Sequence, residues 1–598
     1  MNLIRARLKT FIPSFFALSV AVALSIAAHA ATTLTLAPTD NIQAAVAAAP
    51  INTTFLLQAG TYRMQSVVPK NGDTFSGQGS VVMDGSQSLS FVSDPRGTGL
   101  WVASAVADSS WKGVCQSTSP LCGYDQDLFI DSILQTPVAS PNNLAAGTWY
   151  FDRAHGKLYL PTNPSAHVVE LGMTNYAFSG NASNVEIDHI TVEKYATPAL
   201  QGAIGGYSWG LGSGWDVNVV ESTLNHGGGI SLGARSQILN SYIHHNGQIG
   251  IKFSYAANCL ASNNEISWNN TLGFDPEWEA GGSKFWSTTN LVVSANYVHD
   301  NYGKGLWTDT NNVDTLYDGN SVVNNQGVGI QHEVSYSVII RNNTVKGNAA
   351  APTTWLGDAQ IRIISSSNGV IFNNVVETSA AGGNGIAVIN LTRGTGTQGP
   401  WVAANNYVHD NTITYLDTDG LSGMENDSAG NTAGVGNVFD SNTYNLANCA
   451  ETHWVWNVRT PVTWSAIKSL GQETHGTYSI AQVANGTMEP VLSVSSTSFK
   501  FANTYVGTTQ TFKSFTITNL GSTALLVCSI SPSGTNASSF SVPIYHQGCD
   551  TVAAASSCSF DVAFTPATAG NLSAALQINS NAGNGSQSVS LTGVGISK

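Results

Sequence analysis

The middle of the chain, from about residue 175 to 450, alternates short apolar runs with polar turns in a repeating pattern. An Asn followed two positions later by Ile or Val recurs at intervals of 32, 24, 23, 31 and 32 residues, at Asn264, Asn296, Asn320, Asn343, Asn374 and Asn406. A short repeat with occasional insertions, and without the Leu pattern of leucine-rich repeats, is typical of a parallel β-solenoid. The pattern therefore predicts one β-helix with these Asn side chains stacked in a single turn column.

Counting back from each repeat Asn aligns the strands of successive coils. In "GKGLWTDT" (303–310), Leu306 and Thr308 then face the interior of the coil, whereas Trp307 and Asp309 face outward. The same count puts His332 inside, where we expect a core histidine with a hydrogen-bond partner. It predicts two outward columns: Lys252, Lys284, Trp307, Gln331 and Arg362 in one, and Ser254, Trp286, Asp309, Glu333 and Ile364 in the other.

The two outward columns combine aromatic, basic and acidic residues, and we expect them to form an exposed ligand-binding groove. Trp suits the binding of sugars, because a rigid apolar ring face can stack on a pyranose. Asp309 and Glu333 would lie one strand spacing apart, at about 5 Å, which is the carboxyl separation of a retaining glycosidase. The sequence thus predicts these two residues as catalytic. It predicts as substrate-binding Trp286, Trp307, Lys252, Lys284, Gln331 and Arg362.

Composition and charge indicate which kinds of molecule the protein can bind and where it is located. Charged residues make up 10% of the 598 residues and Gly numbers 59, which suits turn-rich β structure. Residues 1–30 predict a signal peptide, with Arg5, Arg7 and Lys9 before the apolar run "FFALSVAVALSIA" and "AHA" (28–30) as the cleavage site. Its removal changes the formal charge from −14 to about −17, which argues against nucleic acid. No later segment is apolar enough to span a membrane, so we expect a secreted protein, extracellular or periplasmic.

The seven cysteines fit an oxidising compartment without forming a dense disulfide framework. Cys115 with Cys122, and Cys549 with Cys558, are close in sequence and are predicted disulfides. The remaining three are expected to be buried and free: Cys259, Cys449 and Cys528. None has the spacing of a zinc site, and the sequence does not identify a metal ligand set.

Two segments carry a resemblance to known proteins. "DNIQAAVAAAPINTTFLLQAGTYR" (40–63) is similar to the opening of the right-handed parallel β-helix proteins of the pectate-lyase-like superfamily, in which an amphipathic helix caps the first coil. "DLFIDSILQTPVAS" and "GTWYFDRAHGKLYLPTNP" (127–164) are similar to the small β-domain inserted in some secreted glycoside hydrolases of this fold, for instance the β-xylosidase-type family with an embedded β-barrel. The resemblance implies an all-β, right-handed β-helix over 31–485 with an insert at about 100–172.

In that hydrolase family an Asp nucleophile and a Glu acid/base come from successive coils. The resemblance therefore implies that Asp309 is the nucleophile and Glu333 the acid/base. Two carboxylates this close raise the pKa of one of them, which suits an acid catalyst.

The stretch 488–598 changes character and alternates apolar and polar residues between Gly, Asn and Pro turns, as an immunoglobulin-like sandwich does. "CSFDVAFTPATAGNLSAALQINS" (558–580) resembles the Ig-like modules of the choice-of-anchor type in bacterial exported proteins. We expect a spacer or a unit for docking at the cell surface, without chemistry of its own. Truncation after about Ser479 should then leave secretion and catalysis on soluble substrate nearly unchanged.

Three classes of function stay open, with a retaining glycoside hydrolase acting on a polysaccharide or oligosaccharide favoured. A retaining glycoside hydrolase needs no cofactor. A polysaccharide lyase is the first alternative, with Lys252, Lys284 and Arg362 as base and as cations that neutralise a uronate. In that case "GFDPEWEAGG" (273–282) could bind calcium through its carboxylates. The second alternative is a non-catalytic carbohydrate-binding or adhesive surface protein.

Overall fold

The structure is a computed structural model that describes residues 32–597 except 109–111, 207–211, 352–354, 427–434, 448, 450, 451, 458, 481–489, 510–511, 543–548 and 584–586. The predicted signal peptide (1–30) lies outside the described residues. The α-helices are Ile42–Ala48, Pro276–Glu279 and Trp464–Ser469, and two 3-10 turns occupy Pro141–Asn143 and Ala537–Ser539. None of the helices in this described part is long and apolar enough to cross a membrane.

Three parallel faces wind around one apolar core as a right-handed β-helix, as predicted. The first face contains Thr33–Leu36, Thr54–Arg63, Thr74–Asp84, Glu186–Asp188, Asp216–Asn218, Gln237–Leu239, Leu260–Ser262, Thr289–Ser294, Val313–Asp318, Tyr336–Arg341, Val370–Phe372, Tyr407–His409 and Val438–Asp440. The second contains Thr191–Glu193, Glu221–Thr223, Tyr242–His244, Glu265–Ser267, Tyr297–His299, Ser321–Val323, Thr344–Lys346, Val375–Glu377, Thr412–Thr414, Thr443–Leu446 and Thr477–Ile480. The long strand Thr74–Asp84 joins these two faces, because it pairs with both.

The third face is a separate parallel sheet and carries the predicted site. Its strands are Phe178–Ser179, Gly202–Gly205, Gly228–Leu232, Ile249–Ser254, Gly281–Trp286, Leu306–Asp309, Ile330–Glu333, Ala359–Ile364, Asn384–Asn390, Ser422–Asn426 and Trp454–Trp456. Their inward side chains join the core; Leu306, Ile330 and Ile361 are fully buried there. The alternation within each strand therefore holds the polar outward columns at fixed positions.

The opening helix Ile42–Ala48 confirms the predicted cap of the first coil. It begins after Asn41, whose side-chain oxygen accepts a hydrogen bond from the Ala44 N–H at 2.8 Å and so satisfies one of the free helix donors. Ile42 and Val46 are buried in the same core as Phe55 of the first coils. The apolar end of the solenoid is thereby closed.

A ladder of buried Asn side chains confirms most of the predicted turn column. Each Nδ2 donates to the Oδ1 of the next coil: Asn264 to Asn296 at 3.0 Å, Asn296 to Asn320 and Asn320 to Asn343 at 2.9 Å, and Asn343 to Asn374 at 3.0 Å.

The ladder then continues to Asn411 at 2.9 Å and not to Asn406, so the last predicted member is wrong. The hexapeptide "NYVHDN" occurs at 296–301 and again at 406–411. Its strand lies in the second face at the first site and in the first face at the second site. The same hexapeptide therefore occupies two different positions in the coil.

The inserted β-domain consists of two small sheets beside the first coils. One contains Val92–Ser93, Trp101–Ser104, Lys157–Leu160, Thr148–Asp152 and Thr136–Pro137; the other contains Ser86–Ser88, Val169–Gly172, Leu128–Ile130 and Ile133–Leu134. Leu128, Trp149 and Leu171 are buried in its own core. The segment around Cys115 pairs with Phe274 of the β-helix, so the insert contacts a loop of the third face.

The C-terminal stretch is a β-sandwich with its own apolar core. One sheet contains Leu492–Val494, Lys513–Asn519, Ser557–Phe564 and Phe540–Ser541; the other contains Ser498–Lys500, Gln587–Ile596, Gly570–Ser580, Leu525–Ser533 and Thr551–Val552, with Thr504–Tyr505 paired to Gln587–Ile596. The result is the predicted Ig-like fold.

The disulfides follow the prediction at two places and depart from it at a third. Cys115–Cys122 and Cys549–Cys558 are bonded, and Cys259 is free and buried. The expectation of free thiols at Cys449 and Cys528 is wrong, because these two residues form a disulfide. The bond joins the last coils of the β-helix to the sandwich across a separation of 79 residues, which is too far for sequence spacing to indicate.

Candidate active site

The strand register of the third face is the one obtained by counting from the repeat Asn. Successive strands pair Ser254 with Trp286, Trp286 with Asp309, Asp309 with Glu333 and Glu333 with Ile364. In the other column Lys252 pairs with Lys284, Trp307 pairs with Gln331, and Gln331 pairs with Arg362. Asp309 and Glu333 are therefore direct neighbours on adjacent strands.

His332 lies in the interior, as predicted. It is fully buried, and its Nδ1 lies 2.8 Å from the Thr308 hydroxyl. Burial lowers the pKa of His332 to about 3, so the ring is neutral. Its position behind the sheet separates it from the carboxylates on the outer side.

The outward columns are not an exposed groove, and this part of the prediction is wrong. Trp307 is 2% exposed, and the side chains of the same column are also buried: Lys252, Lys284, Gln331 and Arg362. The reason is that the insertions between coils fold back over the third face. The short helix Pro276–Glu279 covers part of the third face, and the loop that follows Asn390 covers another part.

Specific contacts fix these covering segments. Glu277 and Glu279 bind Lys304 at 2.7 Å and Lys252 at 2.6 Å. In the later loop, the Thr397 N–H donates to the Asn311 side chain at 2.9 Å. The covered face thereby becomes a walled cleft.

The cleft has a volume of about 510 Å³ and contains both predicted catalytic residues. Its walls bring together four predicted residues: Trp307, Asp309, Glu333 and Arg362. The other predicted residues stand beside or beneath it. Lys284 and Gln331 are buried and contact the cleft residues Asp309 and Glu333, whereas Lys252 is buried against Glu279. Trp286, half-buried, packs against Tyr255 with ring centroids 4.9 Å apart.

Each of the two carboxylates is held by a polar neighbour. Asp309 accepts from the Lys284 ammonium at 2.7 Å. Glu333 accepts from the Gln331 amide at 2.5 Å and from Arg393 at 3.1 Å. The orientation of both carboxylates is therefore set largely by two buried side chains, Lys284 and Gln331.

Trp307 lies under two ammonium groups. Lys284 Nζ is 3.1 Å and Lys304 Nζ is 4.3 Å from its ring centroid, which is within the range of a cation–π contact. Burial lowers the pKa of Lys304 and of Lys252, and the carboxylates of Glu277 and Glu279 act in the opposite direction. The indole Nε1 of Trp307 is buried and has no hydrogen-bond partner among the described residues.

The segment 273–282, which includes the helix Pro276–Glu279, does not have the arrangement of a calcium site. Asp275 caps the helix Pro276–Glu279 by accepting from the Glu277 N–H at 2.9 Å. Glu277 and Glu279 are bound to lysines. Within the described ranges, no three His, Cys, Asp or Glu side chains converge as metal ligands would.

Several residues of the cleft were missed from the sequence: Glu277 (assigned to calcium), Trp355, Arg393 and Trp401. Lys304, which binds Glu277 beside the cleft, was missed as well. Arg393 and Trp401 belong to a Gly- and Thr-rich insertion, "LTRGTGTQGPW" (391–401). Insertions in a solenoid often lie on its binding face, so an Arg and a Trp in such a loop are the signal that could have identified them.

Comparisons with known proteins agree with the fold. Residues 209–367 match a family model described as right handed beta helix region, and residues 490–594 match one described as HYDIN/CFA65/VesB-like, Ig-like domain. A search of curated protein sequences finds no match. Together with the topology, these matches define the chain as a right-handed β-helix protein that carries an Ig-like domain.

Among solved structures, the chain is similar to XylC, solved in complex with xylose, with a TM-score of 0.57 at 13% identity over 84% of this chain and 91% of that one. A mannuronan C-5 epimerase module, AlgE6 of Azotobacter vinelandii, gives a TM-score of 0.38 at 14% identity over 73% of this chain and 92% of that one. The first likeness shows a shared fold, and the second is too distant to argue from.

Proposed function

We propose that the chain is a carbohydrate-active enzyme that hydrolyses glycosidic bonds with retention of anomeric configuration. The observation that carries the proposal is the pairing of Asp309 with Glu333 on adjacent strands inside one cleft. Neighbouring strands lie about 4.8 Å apart, which favours the close carboxylates of a retaining enzyme over the wider pair of an inverting one.

The proposed reaction has two steps. In the first, an oxygen of Asp309 attacks the anomeric carbon while Glu333 transfers its proton to the departing glycosidic oxygen. In the second, Glu333 accepts a proton from water, which attacks the same carbon and releases Asp309. Lys284 orients the nucleophile, and Gln331 and Arg393 orient the acid/base.

The substrate is proposed to be a neutral polysaccharide or oligosaccharide. Trp355 and Trp401 supply aromatic surface to the cleft, and Arg362 supplies donors. XylC, which shares the fold, was solved with xylose, so pentose and hexose pyranosides are the first substrates to test.

Export of the chain is part of the proposal. It rests on the signal-like residues 1–30 and on three disulfides, which persist outside the reducing cytosol. Docking at the cell surface through the Ig-like domain is a further proposal, supported only by the resemblance of that module.

A panel of aryl glycosides and polysaccharides tests the activity. A retaining hydrolase releases new reducing ends, and NMR shows the starting anomeric configuration in the first product. Asp309→Ala should abolish turnover, whereas Glu333→Gln should spare substrates with good leaving groups, because they need less proton donation.

The alternatives predict other outcomes. A lyase releases unsaturated uronates, detected by their ultraviolet absorbance, and loses activity in Lys284→Ala or Arg362→Ala while tolerating changes at the carboxylates. A binder cleaves nothing and still retains carbohydrate on an affinity gel.

A further inference from the structure

The outer side of the second face carries a column in which carboxylate and aromatic side chains alternate. Successive strands pair Glu221 with Tyr242, Tyr242 with Glu265, and Glu265 with Tyr297. Each member therefore lies one coil beyond the previous one, and the two tyrosines lie two coils apart. These four residues are not among those that line the candidate catalytic cleft, so the column is a separate surface.

The two tyrosines are exposed and are held in the same way. Tyr242 is 36% exposed and Tyr297 is 44% exposed. Each ring stacks on the histidine two positions later in its own strand, with centroids 3.8 Å apart for Tyr242 and His244 and 4.0 Å apart for Tyr297 and His299. A ring that is fixed on one face and exposed elsewhere can stack against a ligand at a low cost in side-chain entropy.

The glutamates of the column are fixed by the same histidines. His244 Nε2 lies 3.1 Å from Glu221 Oε1, and His299 Nε2 lies 3.2 Å from Glu265 Oε1. Both glutamate side chains are still nearly half exposed. An ionised carboxylate has about four acceptor sites, so each glutamate can also accept from the hydroxyl groups of a ligand. The contact with His244 lowers the pKa of Glu221, which keeps this carboxylate negatively charged at neutral pH.

The spacing of the column fits an extended sugar chain. Neighbouring coils lie about 4.8 Å apart, so the two tyrosines are about 10 Å apart along the helix axis, the length of two pyranose units in a β-1,4-linked glycan. Successive units of such a chain in its extended form are turned over relative to each other. Tyr242 and Tyr297 would therefore meet equivalent ring faces, and Glu265 would lie beside the unit between them.

We propose that this column is a second carbohydrate-binding site, which holds a neutral β-1,4-linked glycan parallel to the helix axis and outside the catalytic cleft. The tyrosines stack on alternate sugar units, and the glutamates accept hydrogen bonds from hydroxyl groups. An acidic glycan is disfavoured, because Glu221 and Glu265 would repel its carboxylates.

The chain offers a matched control at Tyr407, which belongs to the second copy of "NYVHDN". Tyr407 is 39% exposed and stacks on His409 with centroids 4.0 Å apart. Its strand lies in the first face, where its neighbours in the adjacent coils are Val370 and Val438. Tyr407 thus has the local packing of Tyr297 without the alternating column.

Calorimetric titration of the full chain tests the site, with Asp309→Ala in every variant so that no ligand is consumed. The ligands are cellohexaose and mannohexaose, with maltohexaose as an α-1,4-linked chain and hexagalacturonic acid as an acidic one. We expect cellohexaose or mannohexaose to bind, with an affinity that falls about tenfold or more when Tyr242→Ala and Tyr297→Ala are combined. Tyr297→Phe keeps the ring and should retain the binding. Tyr407→Ala should change nothing, and Trp401→Ala, which alters the catalytic cleft, should leave the tyrosine-dependent binding intact.

Several results would overturn the proposal. It is wrong if neither cellohexaose nor mannohexaose binds, if the double tyrosine variant binds them as tightly as its parent does, or if Trp401→Ala removes all binding. An equal loss in Tyr407→Ala would show that the alternating column has no special role. Tighter binding of maltohexaose or of hexagalacturonic acid would contradict an extended neutral ligand. Tyrosine-dependent binding of cellohexaose or mannohexaose would support the site even if the chain hydrolysed nothing, because the column lies outside the cleft.

Discussion

The Asn ladder of the β-helix can be tested by removing one of its inner members. Asn320 is 1% exposed. Its Oδ1 accepts from the backbone N–H of Asn296 at 3.0 Å and from the Asn296 side chain at 2.9 Å. Its Nδ2 donates to the Val293 carbonyl and to Asn343 Oδ1, both at 2.9 Å. Asn320→Ala removes all four hydrogen bonds.

The size of the effect follows from which groups lose their partner. The Asn296 N–H loses its acceptor inside the protein, whereas the Asn296 side chain keeps a bond to the Ala261 carbonyl and Asn343 Oδ1 keeps the Asn320 N–H. One orphaned buried donor and several lost bonds should lower the free energy of unfolding by about 3 kcal/mol.

Guanidinium chloride unfolding measures this change, and Asn218→Ala is the matched control. Asn218 lies on a strand and accepts one solvent-exposed bond from Asn240, so its loss should cost less than about 0.5 kcal/mol. If Asn320→Ala were no more destabilising than Asn218→Ala, the ladder would not be a stabilising element of the fold.

Three further predictions follow from burial and covalent links. Trp307→Ala should destabilise the chain by about 3 kcal/mol, because the ring is buried, whereas Trp401→Ala should raise KM and lower the thermal midpoint less, because its ring is only partly buried. Replacing both Cys449 and Cys528 by Ser should destabilise the chain by about 2–4 kcal/mol; an unchanged calorimetric profile would show that the link is not stabilising. Burial raises the pKa of Glu473 to about 7 from its usual 4.5. The folded state therefore holds this proton more tightly, and stability falls as pH rises between these values, by about 3 kcal/mol. Glu473→Gln should remove that pH dependence in denaturant titrations.

The strand register could be predicted from the sequence because the repeat Asn serves a periodic physical need. A stacked amide satisfies the same buried backbone groups in each coil. The period-two alternation of a strand then assigns each side chain to a face. Asp309, Glu333 and His332 were placed correctly for this reason.

Features that depend on contacts between distant segments could not be predicted in the same way. The turn at 276–279 and the loop at 391–401 cover the third face through ion pairs and hydrogen bonds that no repeat encodes. "NYVHDN" occupies two different coil positions because inserted residues before Asn406 shift the phase of the coil. The link from Cys449 to Cys528 depends on how the sandwich packs on the last coil.

Covalent trapping can show whether Asp309 is the nucleophile of a retaining hydrolase. A 2-deoxy-2-fluoro glycosyl fluoride of an accepted sugar forms the glycosyl–enzyme bond by displacing fluoride, and the electron-withdrawing 2-fluoro group slows hydrolysis of the ester. Peptide mass spectrometry should then find the added sugar on Asp309, and the label should be absent in Asp309→Ala. A label on another carboxylate, or an active enzyme that is never labelled, would show that Asp309 is not the nucleophile.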